Sequence, residues 1–581
     1  PRRYLVDVHE VIARSRTAAR MHVAVAGGFV AALPLIMLVH VVGVKDPWAA
    51  YALLGALAAT FAGAVLAADR RDPRLGHHSH GRWERLPFSL IAFVAAFTIA
   101  TIDDVDGAYS WLNGLLALVF GTWGCLATLA LAPWGPLRHA PAGALYLAFH
   151  PRPGRFGTDR PDVTPMPLDL DAPRLGAETA RDFTWNTLLG FDACVQCGRC
   201  EEVCPAFAAG QPLNPKKLIQ DLVIGMTAGL ASDAGYTGNP HPGRPVGLAR
   251  GGRERPIIGD LVHPDTLWAC TTCRHCVHEC PMMIEHVDAV IELRRFQALE
   301  AGRVPGKGAA AIENTRLADN PGGHDLARRL DWAADLNLRV LAPGDTCEAL
   351  LWLGDAAFDL RGQRTLRALV TLMRKGGVDF AVLGAAELDC GDLVRRLGDE
   401  ATFQALARRN VATLDRVRFQ RIVTADPHAL NSLRNDYPAF GGRYTVVHHT
   451  ALLAELLASG RIALAKPGPG PVVTYHDPCY LGRYNGELAA PRAVLGALGV
   501  ELVEMERHGL RSTCCGGGGG APLTDVAGAR RIPDVRMDMA RATGAAVVAV
   551  ACPNCAVMLE GVTGTRPRVA DVAELVLEAV A

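Results

Sequence analysis

The sequence predicts three kinds of structure in one chain: an α-helical bundle in a membrane, an α-helical middle, and a pair of α/β lobes at the C-terminus. Three observations predict this multidomain fold. Four long apolar runs precede residue 135, a four-cysteine motif occurs twice between residues 194 and 281, and past residue 340 strand-like and helix-like runs alternate and repeat. The 581 residues leave room for roughly three or four domains. Charge is balanced, 59 basic against 59 acidic residues, so nothing pulls the whole chain toward nucleic acid, and no nucleic-acid motif is present. Half the residues are hydrophobic and the mean hydropathy of +0.15 is high for a soluble protein. Most of the 16 cysteines are clustered, which in a long chain points to metal or redox chemistry rather than a disulfide framework.

Residues 1–135 form the expected membrane bundle. The runs Met21–Val44, Trp48–Ala68, Leu86–Ile102 and Trp111–Ala132 each approach the length that spans a bilayer, the third being the shortest. One such run could be a buried soluble helix, but four in succession between short polar loops argue for a membrane. Arg2, Arg3, Arg14, Arg16 and Arg20 precede the first run, and Arg70, Arg71, Arg74, Arg82 and Arg85 lie between the second and third. The other two loops carry Lys45 with Asp46, then Asp103, Asp104 and Asp106. The positive-inside rule puts the basic loops in the cytoplasm, so everything past residue 135 is expected on the cytoplasmic side of a bacterial inner membrane. The chain begins at Pro1, so residues are expected to be missing upstream, and a further span among them would leave this orientation unchanged.

Residues 136–185 read as an interfacial helix and a linker. Histidines here and in the bundle raise the question of haem b. His22 and His40 share a face of the first run but lie about 27 Å apart along its axis, too far to hold one iron together. A haem would need His22 or His40 with a ligand from an upstream segment, from His77, His78 or His80, or from His139 or His150; the leading candidates are His22, His139 and His150, the last two on one face of PLRHAPAGALYLAFHPR. Polar anchoring at the interface is the competing reading. The basic loop around His77–His80 is the expected mouth of a quinone site.

Residues 186–335 carry CVQCGRCEEVCP and CTTCRHCVHECP, both of the form C-x2-C-x2-C-x3-C-P. Three closely spaced thiolates cap three corners of a [4Fe-4S] cubane, and the fourth ligand comes from the other motif. One expected set is Cys194, Cys197, Cys200 and Cys280, and the other is Cys270, Cys273, Cys276 and Cys204. Zinc would favour paired CxxC units without the fourth Cys-Pro. Sixty-five residues separate Cys204 from Cys270, more than a compact ferredoxin uses, and NPKKLIQDLVIGM and HVDAVIELRRFQAL are helix-like. The expectation is an α-helical two-cluster ferredoxin domain.

Residues 336–465 and 466–581 read as two related α/β lobes with mostly parallel sheets. ALLWLG, DFAVLG, RIVTAD and YTVVHH are the expected strands of the first, and VVTYHD, ELVEME and AVVAVA those of the second. Cys479, Cys514, Cys515, Cys552 and Cys555 of the second lobe correspond to Asp355, Asp389, Cys390, Asp426 and Ala429 of the first, at offsets of 124–126 residues. One lobe thus keeps five cysteines and the other keeps one. Zinc is the competing reading of the five-cysteine site. Gly516–Gly520, with no Cβ, let the backbone approach a metal centre and aim N–H groups at it. No Lys-Ser/Thr follows them, so they are not a phosphate loop. His476 is read either as tuning this site or as packing.

The pattern Cys479, Cys514-Cys515-Gly516, Cys552-Pro-Asn-Cys555 resembles the CCG-domain family of heterodisulfide reductases and the anchor subunit of anaerobic glycerol-3-phosphate dehydrogenase. That resemblance implies a non-cubane [4Fe-4S] cluster in which one cysteine bridges two irons. FDACVQCGRCEEVCPAFAAGQPLNPKKLIQDLV, TTCRHCVHECPMMIEHVDA and TYHDPCYLGRYNGE, together with the domain order, resemble the membrane iron–sulfur proteins of bacterial dimethylglycine catabolism over nearly the full length. The likeness implies an oxidoreductase subunit that passes electrons from a flavoprotein to membrane quinone. The implied flavoprotein is an electron-transfer flavoprotein, an N-methyl amine dehydrogenase such as dimethylglycine dehydrogenase, or both. The alternative is a heterodisulfide-reductase-like or hydroxyacid-linked subunit with bond chemistry at the five-cysteine site. Such enzymes typically carry two complete sites, and this chain has one.

Overall fold

The computed structural model describes residues 2–70, 76–107, 110–134, 136–152, 168–229, 231–465 and 470–580. Among them, three helices are long and apolar enough to cross a membrane: α1 (Arg16–Val41), α2 (Pro47–Arg70) and α3 (Arg82–Asp106). The third is longer than its apolar run because helix continues through the polar residues at both ends. The fourth run lies in α4 (Trp111–Trp134), whose described apolar part is Trp111–Cys125.

Close approach of small residues holds these helices together, as expected where lipid removes the usual hydrophobic drive. A Cβ on Gly28 of α1 would sit 2.7 Å from Thr60 N of α2, and one on Gly63 of α2 would sit 2.2 Å from Val25 N. Trp48 and Trp111 open α2 and α4 at the same end of the bundle and are strongly exposed, in the manner of interfacial aromatics. At that end His40 Nε2 lies 3.0 Å from Thr101 Oγ1.

The opposite, arginine-rich end meets the cysteine domain. Arg14 pairs with Glu279 at 2.9 Å, Arg199 donates to Val11 O at 2.6 Å, and Lys216 Nζ donates to His77 O at 2.6 Å. Helix α5 (His139–Phe149) packs on this domain through Tyr146, which is 2% exposed and donates to Met283 O at 3.1 Å. One expectation is corrected here. His150 follows the last helical turn in extended backbone, so it does not share a helix face with His139.

The middle domain is helical, with α6 (Pro215–Gly225) and α7 (His286–Arg295) as its longer buried helices. Asn214 caps α6 by accepting from Lys216 N at 2.9 Å, and Pro215 occupies the first helical position.

The C-terminal lobes each carry a four-stranded, all-parallel sheet. The first has the order β2-β1-β3-β4, from β1 (Thr346–Trp352), β2 (Phe380–Ala381), β3 (Arg418–Thr424) and β4 (Val446–His448). The second repeats it as β6-β5-β7-β8, from β5 (Val472–Tyr475), β6 (Glu501–Leu502), β7 (Val547–Val550) and β8 (Arg568–Asp571). Strand β8 was not expected: TRPRVAD is short and polar, and an edge strand beside a buried one needs little apolar patterning. The lobes are joined by buried polar contacts, including His449 Nε2 to Asp571 at 2.9 Å and Arg361 with Glu574.

Candidate metal centres

The two cysteine loops of the middle domain have the same backbone. Gln196 (φ 48°) and Gly198 (φ 78°) in the first correspond to Thr272 (φ 50°) and Arg274 (φ 59°) in the second. Three of the four are non-glycine residues in the left-handed region, a conformation that costs about 1–3 kcal/mol each and persists only where surroundings impose it. Arg274 is held there by Glu285 at 2.6 Å and Asp288 at 3.1 Å. Each loop then runs through a short helical turn to its fourth cysteine, and Pro205 and Pro281 follow.

The fourth cysteines change sides. Cys204 lies with Cys270, Cys273 and Cys276 around one enclosed space of about 30 Å³. Cys280 instead interacts electrostatically with Cys194 and Cys197, as does Cys200. Burial pushes these thiols up, Cys194 to about 11 and Cys280 to about 12. Thiols crowded out of water in this way become thiolates only with a cation among them, so the donor sets fit a soft metal centre.

The five cysteines of the second lobe converge from three elements. Cys479 follows β5, Cys514 and Cys515 precede the glycine run, and Cys552 and Cys555 lie at the start of the helix after β7. Cys515 Sγ and Cys555 Sγ are 3.2 Å apart. Gly516 N points at Cys514 Sγ (3.3 Å) and Gly517 N at Cys515 Sγ (3.4 Å), the N–H geometry expected of this run. Hydrogen bonds from Cys273 and Cys479 lower Cys514, and those from Cys514 and Cys555 lower Cys515. Burial works against ionisation of Cys552, but hydrogen bonds from Cys555 and His428 bring it to about 6. The hydrogen bonding thus favours the thiolate form at Cys514, Cys515 and Cys552.

The surroundings explain these shifts. His476 is buried, and its Nδ1 accepts from Arg536 Nε at 3.0 Å. A ring nitrogen of His476 lies within 4.8 Å of the Cys515 and Cys555 sulfurs, so it faces the site rather than only filling space. His428 comes from the other lobe, where it stands at the position of Asn554. It pairs with Asp392 at 2.7 Å, stacks on Tyr480 at 3.8 Å, and reaches Cys552. Sequence reading missed it. The D-P-H-A match to C-P-N-C marked its backbone position, but nothing local showed that the side chain crosses to the neighbouring lobe.

Two buried arginines, also missed, tie the five-cysteine site to the second cysteine loop. Arg294 donates to Gly519 O and Cys270 O, both at 2.8 Å. Arg483 donates to Cys273 O and Ser512 O, both at 2.7 Å. Gly518 lies so close to Thr271 O that a Cβ would meet it at 2.7 Å. Cys273 and Cys514 are themselves hydrogen-bonded, so the two sites share a wall.

The first lobe holds no such thiol set. Asp355, Asp389, Cys390 and Asp426 instead line a cavity of about 360 Å³ at the equivalent place. Burial raises Asp389 well above the usual carboxylate range, with the charge of Asp355 adding to it. Cys347 is buried on β1, and Cys125 lies in α4.

A second cavity, of about 210 Å³, lies where the spans meet the first cysteine loop. His22, His78 and His139 line it, together with Trp83, Arg70 and Cys197. Two of the three haem candidates thus face one space. The third does not line it: His150 stacks on Tyr146 at 4.6 Å and faces Glu285 at 3.8 Å.

Comparison with known proteins matches four stretches of the chain. A 4Fe-4S dicluster domain matches residues 188–281, a cysteine-rich domain matches 349–434 and again 473–560, and a domain of unknown function matches 1–173. A probable membrane-anchored ferredoxin of Chromohalobacter salexigens is 54% identical, over all of this chain and 90% of that protein. An EtfAB:quinone oxidoreductase of Syntrophomonas wolfei is 34% identical, over 81% of this chain and 67% of that protein. The probable iron-sulfur-binding oxidoreductase FadF of Bacillus subtilis is 33% identical, over 87% and 74%. With its apolar helices, dicluster domain and paired cysteine-rich lobes, the chain belongs to this family of membrane-anchored iron–sulfur electron-transfer proteins.

Proposed function

We propose that the chain is a conduit that takes electrons from a reduced flavoprotein and delivers them to membrane quinone. One observation carries the reading: the cysteine sites form an unbroken series. Cys514 touches Cys273 in the five-cysteine lobe, Cys204 and Cys280 interlock the two loops of the middle domain, and Cys197 lies on the cavity among the spans. When bound, iron–sulfur clusters supply one-electron carriers that cycle with little rearrangement. In this reading Cys194, Cys197, Cys200 and Cys280 hold one cubane, and Cys204, Cys270, Cys273 and Cys276 hold the second. Cys479, Cys514, Cys515, Cys552 and Cys555 hold a third, non-cubane cluster. The protein's own part is to keep water away, to present N–H donors from Gly516, Gly517 and His476, and to fix spacing through Arg294 and Arg483.

The donor is an electron-transfer flavoprotein, an N-methyl amine dehydrogenase such as dimethylglycine dehydrogenase, or both. Relatives support the first, since one is named an EtfAB:quinone oxidoreductase. The decisive assay mixes purified protein in detergent with enzymatically reduced electron-transfer flavoprotein and a soluble ubiquinone analogue. Quinone reduction that depends on this protein is expected. Reduction of the clusters by dithionite without any flavoprotein-driven turnover would sink the donor assignment.

The cluster domains face the cytoplasm in this proposal, on the strength of the arginines at that end of the bundle. A reporter that fluoresces only in the cytoplasm should be bright when fused after Ala581 and dark when inserted between Val44 and Lys45. The reverse pattern would invert the topology.

A second reading, disulfide reduction, is favoured by an open cavity of about 630 Å³ that reaches Gly516, the neighbour of Cys515. Turnover with small disulfides would support it. The carboxylates that replace a second thiol set weigh against it.

A further inference from the structure

The cavity at the head of the spans meets the three cysteine sets only at Cys197. We propose that it is the acceptor site and that it seats the ring of a lipid-soluble quinone, a proposal that rests on the conduit reading. Its volume of about 210 Å³ far exceeds the about 10–15 Å³ that a single water requires. All three long spans contribute apolar wall, including Met21, Ala67 and Leu90. An acceptor drawn from water would have no use for such a location, whereas a ring carried on a hydrocarbon tail reaches it from the lipid.

His22, His78 and His139 bring imidazoles to the lining, and Arg70 and Arg199 bring cations, groups that can donate hydrogen bonds to quinone carbonyls. His22 Nδ1 is buried without a hydrogen-bond partner, and His139 presents a second imidazole to the same space. Trp83 stacks on His139 with ring centroids 6.0 Å apart, which fixes the imidazole plane. Cys197 forms part of the wall, so a ring seated there lies against a ligand of the first cysteine set with no side chain between. Reduction converts the two carbonyls to hydroxyls. It consumes two electrons, supplied one at a time from the flavoprotein through the cysteine sites, and two protons, taken from water at the cluster-domain end of the bundle.

Binding tests this without any electron flow. The full-length protein in detergent is titrated with decyl-ubiquinone while tryptophan fluorescence is followed. Saturable quenching is expected, and Trp83→Phe should remove a large part of its amplitude. Ala67→Phe and Met21→Phe, on different spans, fill the cavity and should each weaken Kd about tenfold, equivalent to about 1.4 kcal/mol. Unchanged iron–sulfur absorption would show that both variants are folded. Wild-type affinity in both filled variants would overturn the site, as would a Soret band in the purified protein with no quinone quenching, which would give the cavity to a haem. Because binding needs no donor, a failed flavoprotein assay would leave this result intact. Conversely, unaltered flavoprotein-driven turnover in the filled variants would sink the site and leave the conduit standing.

Discussion

His428 stands in the lobe that keeps one cysteine of the motif, and its side chain reaches the site in the lobe that keeps all five. Burial works against its charge, yet Asp392 raises it well above the ordinary histidine value, which favours the imidazolium. Asp392 is lowered in turn, against burial, by Arg396 and His428. The signs define a window. The His428 contribution to stability is complete below its unfolded value and fades as pH rises through its raised folded value. The Asp392 contribution is complete above the usual carboxylate range and fades as pH falls through its depressed value. His428→Ala should therefore lower the reduction potential of the five-cysteine site, since it removes a charge-assisted hydrogen bond of about 1.5–3 kcal/mol. Electron paramagnetic resonance during a redox titration reads this directly. A potential that does not move would reduce His428 to packing.

At the scale of elements, the glycine run joins two sites rather than serving one. Gly519 has φ +65°, and a Cβ there would lie 2.8 Å from Cys270 O. Gly519→Ala should cost about 1–2 kcal/mol in left-handed backbone alone, with the clash added. Thermal unfolding should fall, and the signals of both the five-cysteine site and the second loop should broaden together. Loss confined to one of them would show that the run is not shared. Much at this scale was legible in the sequence: the spans from apolar length, the two loops from spacing, the lobes from a repeat held to within two residues. What escaped it depends on packing across sequence. Strand β8 is specified by its neighbour β7, the left-handed Thr272 and Arg274 by the loop they close, and the reach of His428, Arg294 and Arg483 by how one domain lies on the next. The separation of His139 from His150 turned on where α5 stops, and Pro151 fixes that better than periodicity does.

For the whole molecule, the exchange of fourth cysteines makes a test that separates neighbouring sites. Cys280→Ala alters the second motif, but the ligand set proposed here assigns the damage to the site at Cys194, Cys197 and Cys200, next to the spans. Donor-driven reduction of the remaining clusters should continue while quinone reduction falls by orders of magnitude. Loss of the other cubane's signal instead would mean that each motif serves itself.

That exchange also sets a timetable for the cell. On the ligand sets proposed here, the first site cannot be completed until Cys280 has left the ribosome, 80 residues after Cys200. At about 5–20 residues per second this is a wait of roughly 4–16 s. Cys204 waits likewise for Cys270, and the five-cysteine site waits for Cys555. By then the spans have long been made. On the ligand sets proposed here, iron loading follows the synthesis of the spans, so a factor that delivers the metal would meet the chain at its membrane.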